Sequence, residues 1–305
     1  MRVLVTGANG LVGSAIAREL VRGEHDVFCV VREGSNTELV HPEAYVVRGD
    51  FVALGEAARL VAEIRPAAII HAAAVVSTGR PNLAASLAVN VRGTRALADA
   101  AHARGVEHWV QISSMSAHPL NRSIYGGTKF LSEEEVRSSG VPFTILRPSL
   151  VYGPRKRGIF HKFAGLMEKL PIVPLIGDGS EPVAPVHEDD LAFVVGAALA
   201  LGAHGKTYQI GGPEEHWRFR DLIRAVRRML GKGGPAIAIP LPICRLGALA
   251  GEALLPNPPV TSDNIEGLAR AIPVDSSAAR ADFGYEPRSF EVGFRDCIEK
   301  GLLRA

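Results

Sequence analysis

Along the first half of the chain, short unbroken apolar runs alternate with stretches whose apolar residues recur at helical spacing. Arg2 to Thr6 (RVLVT) is β-branched and uninterrupted, the signature of a strand buried on both faces, and Ser14 to Arg22 follows as a helix. The same pairing repeats. Asp26 to Val31 and Ala44 to Arg48 read as strands, Leu54 to Ile64 as a helix, Ala68 to Ala74 as a strand, Leu83 to Arg104 as a long helix and His108 to Ile112 as a fifth strand. This alternation predicts a parallel sheet with helices on both faces, and a ligand outside the carboxyl ends of its strands.

The pattern changes near Gly158. Proline- and glycine-rich joints, among them PIVPLIGDG at Pro171 to Gly179 and GKGGP at Gly231 to Pro235, separate short helices. They predict a small C-terminal substrate lobe over the ligand edge of a Rossmann-type, doubly wound α/β sheet. Residues 1–157 are read as the dinucleotide-binding domain and 158–305 as mainly the lobe, with about 183–212 returning to the sheet. The long apolar stretch Ala236 to Leu255 is interrupted by Pro240, Pro242, Arg245 and Glu252, which excludes a membrane span. After Pro242, Ile243, Leu246, Leu249 or Ala250, and Ala253 or Leu254 fall at helical spacing. The expectation is a helix facing the core.

Bulk properties narrow the partner. With 305 residues, 47% of them hydrophobic, the chain can bury a sizeable core, and a net charge of +2 gives no field for nucleic acid or a membrane surface. A small-molecule substrate is expected. Cys29, Cys244 and Cys297 lack metal-ligand spacing, and Cys29 falls inside a predicted strand, so a reduced, cytoplasmic protein without disulfides or zinc is expected. The glycine turn arrives too early for a signal peptide. Glu188, Asp189 and Asp190 read as helix-start acids, without the further ligands a metal needs, and Arg155, Lys156 and Arg157, extended by His161 and Lys162, as a solvated basic run. Apolar helix faces that pair subunits resemble those that pack inside one chain, so a homodimer is compatible with the pattern and not required by it.

Candidate chemistry sits where the strands end. Gly7, Gly10 and Gly13 lie between the first strand and its helix, where positive φ, close backbone approach and free helix N–H groups suit a pyrophosphate. Arg32 ends the second strand where a carboxylate would otherwise hold the ribose hydroxyls, which favours a 2′-phosphate and so NADP over NAD. The small residues of HAAA (His71 to Ala74) leave room for a flat cofactor. The fifth strand ends at Ser113 and Ser114, and Tyr125 and Lys129 lie four residues apart on one helix face. An ammonium beside a phenol lowers the phenol pKa, so the pair is suited to proton transfer.

Taken together, TGANGLVG (Thr6 to Gly13), Asp50, HAAA, NVRGT (Asn90 to Thr94), Ser114, YGGTK (Tyr125 to Lys129), RPSLVYGP (Arg147 to Pro154), VHEDDLA (Val186 to Ala192) and YQIGG (Tyr208 to Gly212) resemble the short-chain dehydrogenase/reductase family. The chain is most similar to its extended and atypical NAD(P)-dependent epimerase/dehydratase branch. The resemblance implies a catalytic set of Asn90, Ser114, Tyr125 and Lys129. It implies cofactor contacts at Gly7, Asn9, Gly10, Leu11, Val12, Gly13, Arg32, Asp50, Phe51, His71, Ala72, Ala73, Tyr125, Lys129 and Pro148. In such enzymes the tyrosine is acid or base, the serine binds the substrate oxygen, and the lysine binds the nicotinamide ribose.

The Ser114 to Tyr125 interval is short, and Gly177 to Asp190 lacks the arginine that sugar-nucleotide enzymes carry, so a sugar nucleotide is disfavoured. The short interval, the Ala236 to Leu255 segment and PPVTSDNIEGL (Pro258 to Leu268) look more like the atypical group related to a respiratory complex I accessory subunit, some of whose members bind cofactor without clear turnover. Three readings stay open. They are an NADP-preferring oxidoreductase acting on a carbonyl or alcohol, an epimerase or dehydratase that retains its cofactor, and a cofactor-binding structural or assembly protein.

Overall fold

A computed structural model describes residues 1–76, 81–155, 158–202, 205–256 and 258–302. Its main sheet contains β1 (Arg2–Thr6), β2 (Asp26–Val31), β3 (Tyr45–Arg48), β4 (Ala68–His71), β5 (His108–Ile112), β6 (Phe143–Pro148) and, after three short strands outside it, β10 (Thr207–Ile210). The order is β10-β6-β5-β4-β1-β2-β3, and every pairing is parallel. The chain moves outward from β1 to β3 and returns to β4 on the other side of β1. That reversal opens a crevice at the carboxyl ends of β1 and β4, with Thr6 aligned to Val30 and His71.

The helices alternate with the strands as the apolar spacing predicts, and their ends are informative. Helix α1 (Leu11–Arg22) begins directly after the glycine turn, three residues before the expected start at Ser14. Its first helical bond is Ser14 N–H to Gly10 C=O at 3.1 Å, so the Leu11, Val12 and Gly13 N–H groups have no helical acceptor. Helix α2 (Glu56–Ile64) covers β4 and β1 with Leu60, Val61 and Ile64.

The long pattern from Leu83 to Arg104 divides into α3 (Leu83–Ser86), a π-helical segment (Leu87–Gly93) and α4 (Thr94–Ala103). The wider turn carries Asn90 and sets Gly93 against Phe51, where an added Cβ would lie 2.7 Å from the ring. Strand β4 stops at His71 rather than Ala74, because the Ala73 N–H leaves the sheet ladder for Thr6 Oγ1 at 3.2 Å.

Helix α5 (Ile124–Ser138) carries the YGGTK sequence, and β6 follows it. Beyond β6 come β7 (Val151–Tyr152), α6 (Gly158–Lys169), β8 (Val173–Ile176) and β9 (Val186–His187), the last paired with β7. Helix α7 (Glu188–Leu201) packs on α1 and shares its core with β10 and with Ala279 and Phe283 of α11 (Ser277–Phe283). Helix α7, β10 and α11 therefore pack with the sheet.

The lobe has a separate aromatic core in which Tyr152, Phe160, Phe219, Phe290 and Phe294 meet. It is built from α6, α8 (Phe219–Met229) and α12 (Phe290–Glu299), beside the two-stranded pair of β8 and β11 (Ala236–Ile239).

The apolar segment after Pro242 departs from expectation. It forms α9 (Leu241–Leu254), but only Ala248 is buried, and Ile243, Leu246, Leu249 and Leu254 are exposed. The aromatic cluster already fills the lobe interior. Helix α9 instead packs on α10 (Ser262–Leu268), to which it is tied by Arg245–Glu266 at 2.6 Å. Among the described residues, no helix is long and apolar enough to cross a membrane. The three cysteines are unpaired, and no group of metal-ligating side chains is present among the described residues.

Candidate active site

A cavity of about 930 Å³ follows the carboxyl edge of the sheet from the glycine turn to α10. At one end the wall is almost entirely backbone. Gly7 has φ +68°, and a Cβ there would lie 2.7 Å from the Ala73 nitrogen, while a Cβ on Gly13 would lie 2.2 Å from the Gly7 oxygen. The turn is thus pressed between the alanine run and its own helix, with the three unbonded N–H groups at the start of α1 beside it. That cradle fits a dinucleotide pyrophosphate. Asn9, Gly10, Leu11, Val12, Asp50, Phe51, Ala72 and Ala73 line the same end. Arg32 and Ser35 line it at the end of β2, where no carboxylate does. The backbone oxygens of both are held by Arg48 Nη1, at 3.0 and 3.1 Å, a second guanidinium that strand reading alone passes over.

The other end is made by side chains. Ser114, Tyr125, Lys129 and Pro148 all line it. The Ser123 hydroxyl caps α5 by accepting from the Gly126 N–H at 2.9 Å, and an added Cβ at Gly126 would lie 2.6 Å from the Ser116 oxygen. The glycine lets the loop after β5 lie against the helix, so Ser114 reaches Tyr125. The Ser114 hydroxyl lies close enough to the Tyr125 phenol to lower its pKa.

Burial pushes the Tyr125 phenol up to about 12 despite Ser114, and pushes the Lys129 ammonium down to about 8 despite Glu133. The sequence-based expectation that Lys129 acidifies Tyr125 is therefore not met here. Lys129 Nζ donates instead to the Ile112 oxygen at 2.7 Å, and desolvation dominates the phenol. A tyrosine so placed holds its proton at neutral pH.

Two residues of the expected set stand behind the wall rather than on it. His71 is fully buried and bonded to Thr6 Oγ1 at 2.8 Å and Thr94 Oγ1 at 3.0 Å. Burial first, and Lys129 second, push its pKa down to about 3, so it is neutral. Thr94 gives its own proton to the Asn90 oxygen at 2.7 Å, which assigns the imidazole proton to Nε2 and leaves Nδ1 to accept from Thr6. Asn90, also buried, accepts from Val75 N–H at 2.7 Å and donates to Thr128 Oγ1 at 3.0 Å. Neither His71 nor Asn90 reaches the cavity. They tie β1, β4 and the π-helical turn to α5.

Two residues that carry the site were not singled out from sequence. Glu133 is fully buried and accepts from Ser113 Oγ at 2.5 Å, from Arg147 at 2.8 and 2.6 Å, and from Arg137 at 3.0 Å, which fixes the strand end that presents Ser114. Asp263, on α10, accepts from the Ile124 N–H and, at 3.3 Å, from the Tyr125 N–H. It caps α5 from the lobe. A TSDN stretch starting a helix, with Thr261 and Asn264 in a capping box, is the signal that marks such a position.

Arg155 is bonded to Ser14 Oγ and lies 3.7 Å from Glu188 rather than in a solvated run; Lys156 and Arg157 lie outside the described residues. Glu188, Asp189 and Asp190 start α7 as expected, paired with Arg18 and Arg288.

Comparison with known proteins agrees with this geometry. Over 97% of its length, and 98% of the relative's, the chain is 29% identical to a 2-alkyl-3-oxoalkanoate reductase of Stenotrophomonas maltophilia. It is 28% identical to a 3 beta-hydroxysteroid dehydrogenase/Delta 5→4-isomerase of Mycobacterium tuberculosis, over 94% of this chain and 86% of that one. Among solved structures, gox2253 superposes with a TM-score of 0.79 at 26% identity, covering 98% and 97% of the two chains. The UDP-glucose 4-epimerase of Thermus thermophilus, solved with NAD, shares the fold with a TM-score of 0.75 at 22% identity over the whole of both chains. The model of the NAD dependent epimerase/dehydratase family matches residues 3–211, from β1 through β10 and every element of the cavity's nucleotide end, and the chain belongs to that family.

Proposed function

We propose that this protein is an NADP-dependent oxidoreductase acting on a carbonyl or alcohol of a small, largely apolar molecule, with Tyr125 as acid and base. The observation that carries the reading is one continuous cavity with a glycine cradle at one end and Ser114 beside Tyr125 at the other. When bound, the nicotinamide supplies or accepts the hydride.

The chain does the rest. The turn at Gly7 to Gly13 and the start of α1 hold the pyrophosphate, and Arg32 offers a guanidinium to a 2′-phosphate. Ser114 donates a hydrogen bond to the substrate oxygen, and Tyr125, protonated at neutral pH, gives that oxygen its proton in the reducing direction. Lys129, held by the Ile112 oxygen, keeps a cation beside the ribose position.

The substrate end favours an apolar molecule. Val76, Met115, Leu150, Val183, Leu268 and Ile272 line the cavity, and its cations among the described residues are Arg32 and Lys129, which leaves none for a second diphosphate. Relatives named for 2-alkyl-3-oxoalkanoates, ceramide and 3 beta-hydroxysteroids set an oxygen on an apolar frame.

The test is loss of NADPH or NADH absorbance with a panel of 3-oxo acids and 3-oxosteroids. Turnover with NADPH is expected to fall on the order of 10² to 10⁴ in Tyr125→Phe, with nucleotide binding retained. Arg32→Ala should weaken NADPH and leave NADH unchanged. Undiminished turnover by Tyr125→Phe, or no binding of either nucleotide, overturns the reading.

A further inference from the structure

The outer face of the lobe carries two features that the cavity chemistry does not use. The first is α9. Its Ile243, Leu246, Leu249 and Leu254 are 59%, 70%, 55% and 80% exposed, and Leu255 beyond it is exposed as well. Its charged residues are both drawn toward α10, Arg245 by Glu266 and Glu252 by the Ser262 N–H and hydroxyl at 2.5 and 2.9 Å. What remains outward is apolar. At 14 residues the helix is about 21 Å long, too short to span a bilayer and long enough to lie in its interface.

The second feature is a separate cavity of about 350 Å³ at the start of β11, lined by Arg220, Arg224, Arg227, Arg228 and Lys232 with Pro235 and Ala236. Arg227 is buried and braces the cavity through the Leu170 and Pro171 oxygens at 3.0 and 3.1 Å. Arg224 and Arg228 stand 71% and 69% exposed. Asp221 caps α8 and pairs with Arg224, Glu291 pairs with Arg228, and Asp178 lies within Coulombic reach of Arg220, so the cluster keeps five cations against three carboxylates. The two features are joined along the chain: exposed Ile172 precedes β8, which pairs with β11, and exposed Ile237 follows Ala236 along β11, whose end at Ile239 leads through Pro240 into α9.

We propose that this face is a peripheral docking surface for an anionic phospholipid bilayer. The apolar row of α9 enters the interface, and the arginine cavity receives headgroup phosphates. The surface combines the two signals that reversible membrane attachment requires, buried apolar area and a basic cluster. A second copy of the chain fits the same face less well, because twofold pairing of one patch would set its cations against each other. Helix α10 lines the active-site cavity on its other side, so docking here would bring the substrate end of that cavity close to the lipid. The inference stands without the proposed reaction.

The full chain is to be sedimented with vesicles of phosphatidylcholine alone and of phosphatidylcholine with phosphatidylglycerol. Binding is expected to the anionic vesicles, falling with added salt. It should drop at least about tenfold in Leu246→Glu/Leu249→Glu and in Arg224→Ala/Lys232→Ala, with circular dichroism and thermal unfolding unchanged in the second pair of substitutions, which are at exposed positions. No binding of the wild type to anionic vesicles overturns the proposal. So does equal binding to both vesicle types, binding unaffected by either pair of substitutions, or a solution dimer that Leu246→Glu/Leu249→Glu dissociates.

Discussion

The two ends of the main cavity are built from different materials. The nucleotide end is backbone: glycines at Gly7 and Gly13, alanines at Ala72 and Ala73, and the open N–H groups of α1. The tyrosine end is side chain on buried polar support, with Glu133, Arg147 and Ser113 beneath one wall and Thr6, His71, Thr94, Asn90 and Thr128 behind another. A backbone cradle depends on excluded volume and tolerates no added methyl. A polar network depends on complete hydrogen bonding and tolerates no lost charge. The first should fail sterically and the second electrostatically.

The largest effect is expected from Glu133→Gln. It leaves Arg147 half-partnered beside a buried amide, and should cost about 3–5 kcal/mol, read as a fall in urea midpoint with unchanged slope. Gly13→Ala tests the opposite end. A methyl 2.2 Å from the Gly7 oxygen must displace the turn, an overpacking cost of about 1–3 kcal/mol, so NADPH affinity should fall roughly 5- to 100-fold by titration.

Acid should then distinguish the two ends without mutation. His71 is a base held neutral, with its pKa pushed down to about 3, and His187 likewise to about 4. The unfolded chain takes up protons at these positions near pH 6.5 and the folded chain does not. Stability is therefore intact above about pH 7 and falls as pH drops below about 6.5, by up to roughly 1.4 kcal/mol per pH unit for each histidine. His71→Asn should flatten that slope in denaturant titrations at several pH values. The smallest effect is expected from Asp263→Asn, which weakens a helix cap worth about 1 kcal/mol. Turnover should fall about five- to tenfold with NADPH affinity unchanged, so a loss of both would erase the distinction between the ends.

The same division explains what the sequence made legible. Glycine spacing and apolar alternation are local, and from them the parallel sheet, the switch point and the cradle follow. Placement of His71 is not local, because the threonines that enclose it lie at positions 6 and 94. Asn90 is turned inward by a π-helical bulge that helical spacing does not reveal. The α9 pattern identified which side chains share a face. It could not show that Phe160, Phe290 and Phe294 had already occupied the interior that face would have joined.

The carboxylate that caps α5 comes from the lobe, and its contacts at Ile124 and Tyr125 cross about 140 positions of sequence. Exchanging lobes between relatives to change selectivity would therefore exchange the cap as well. A chimera joined near residue 158 inherits whatever side chain the donor places at position 263, and with it the footing of a tyrosine contributed by the recipient. Under the proposed reading, selectivity and proton chemistry are inherited as one unit, so a productive seam must carry Asp263 across with the helix it caps.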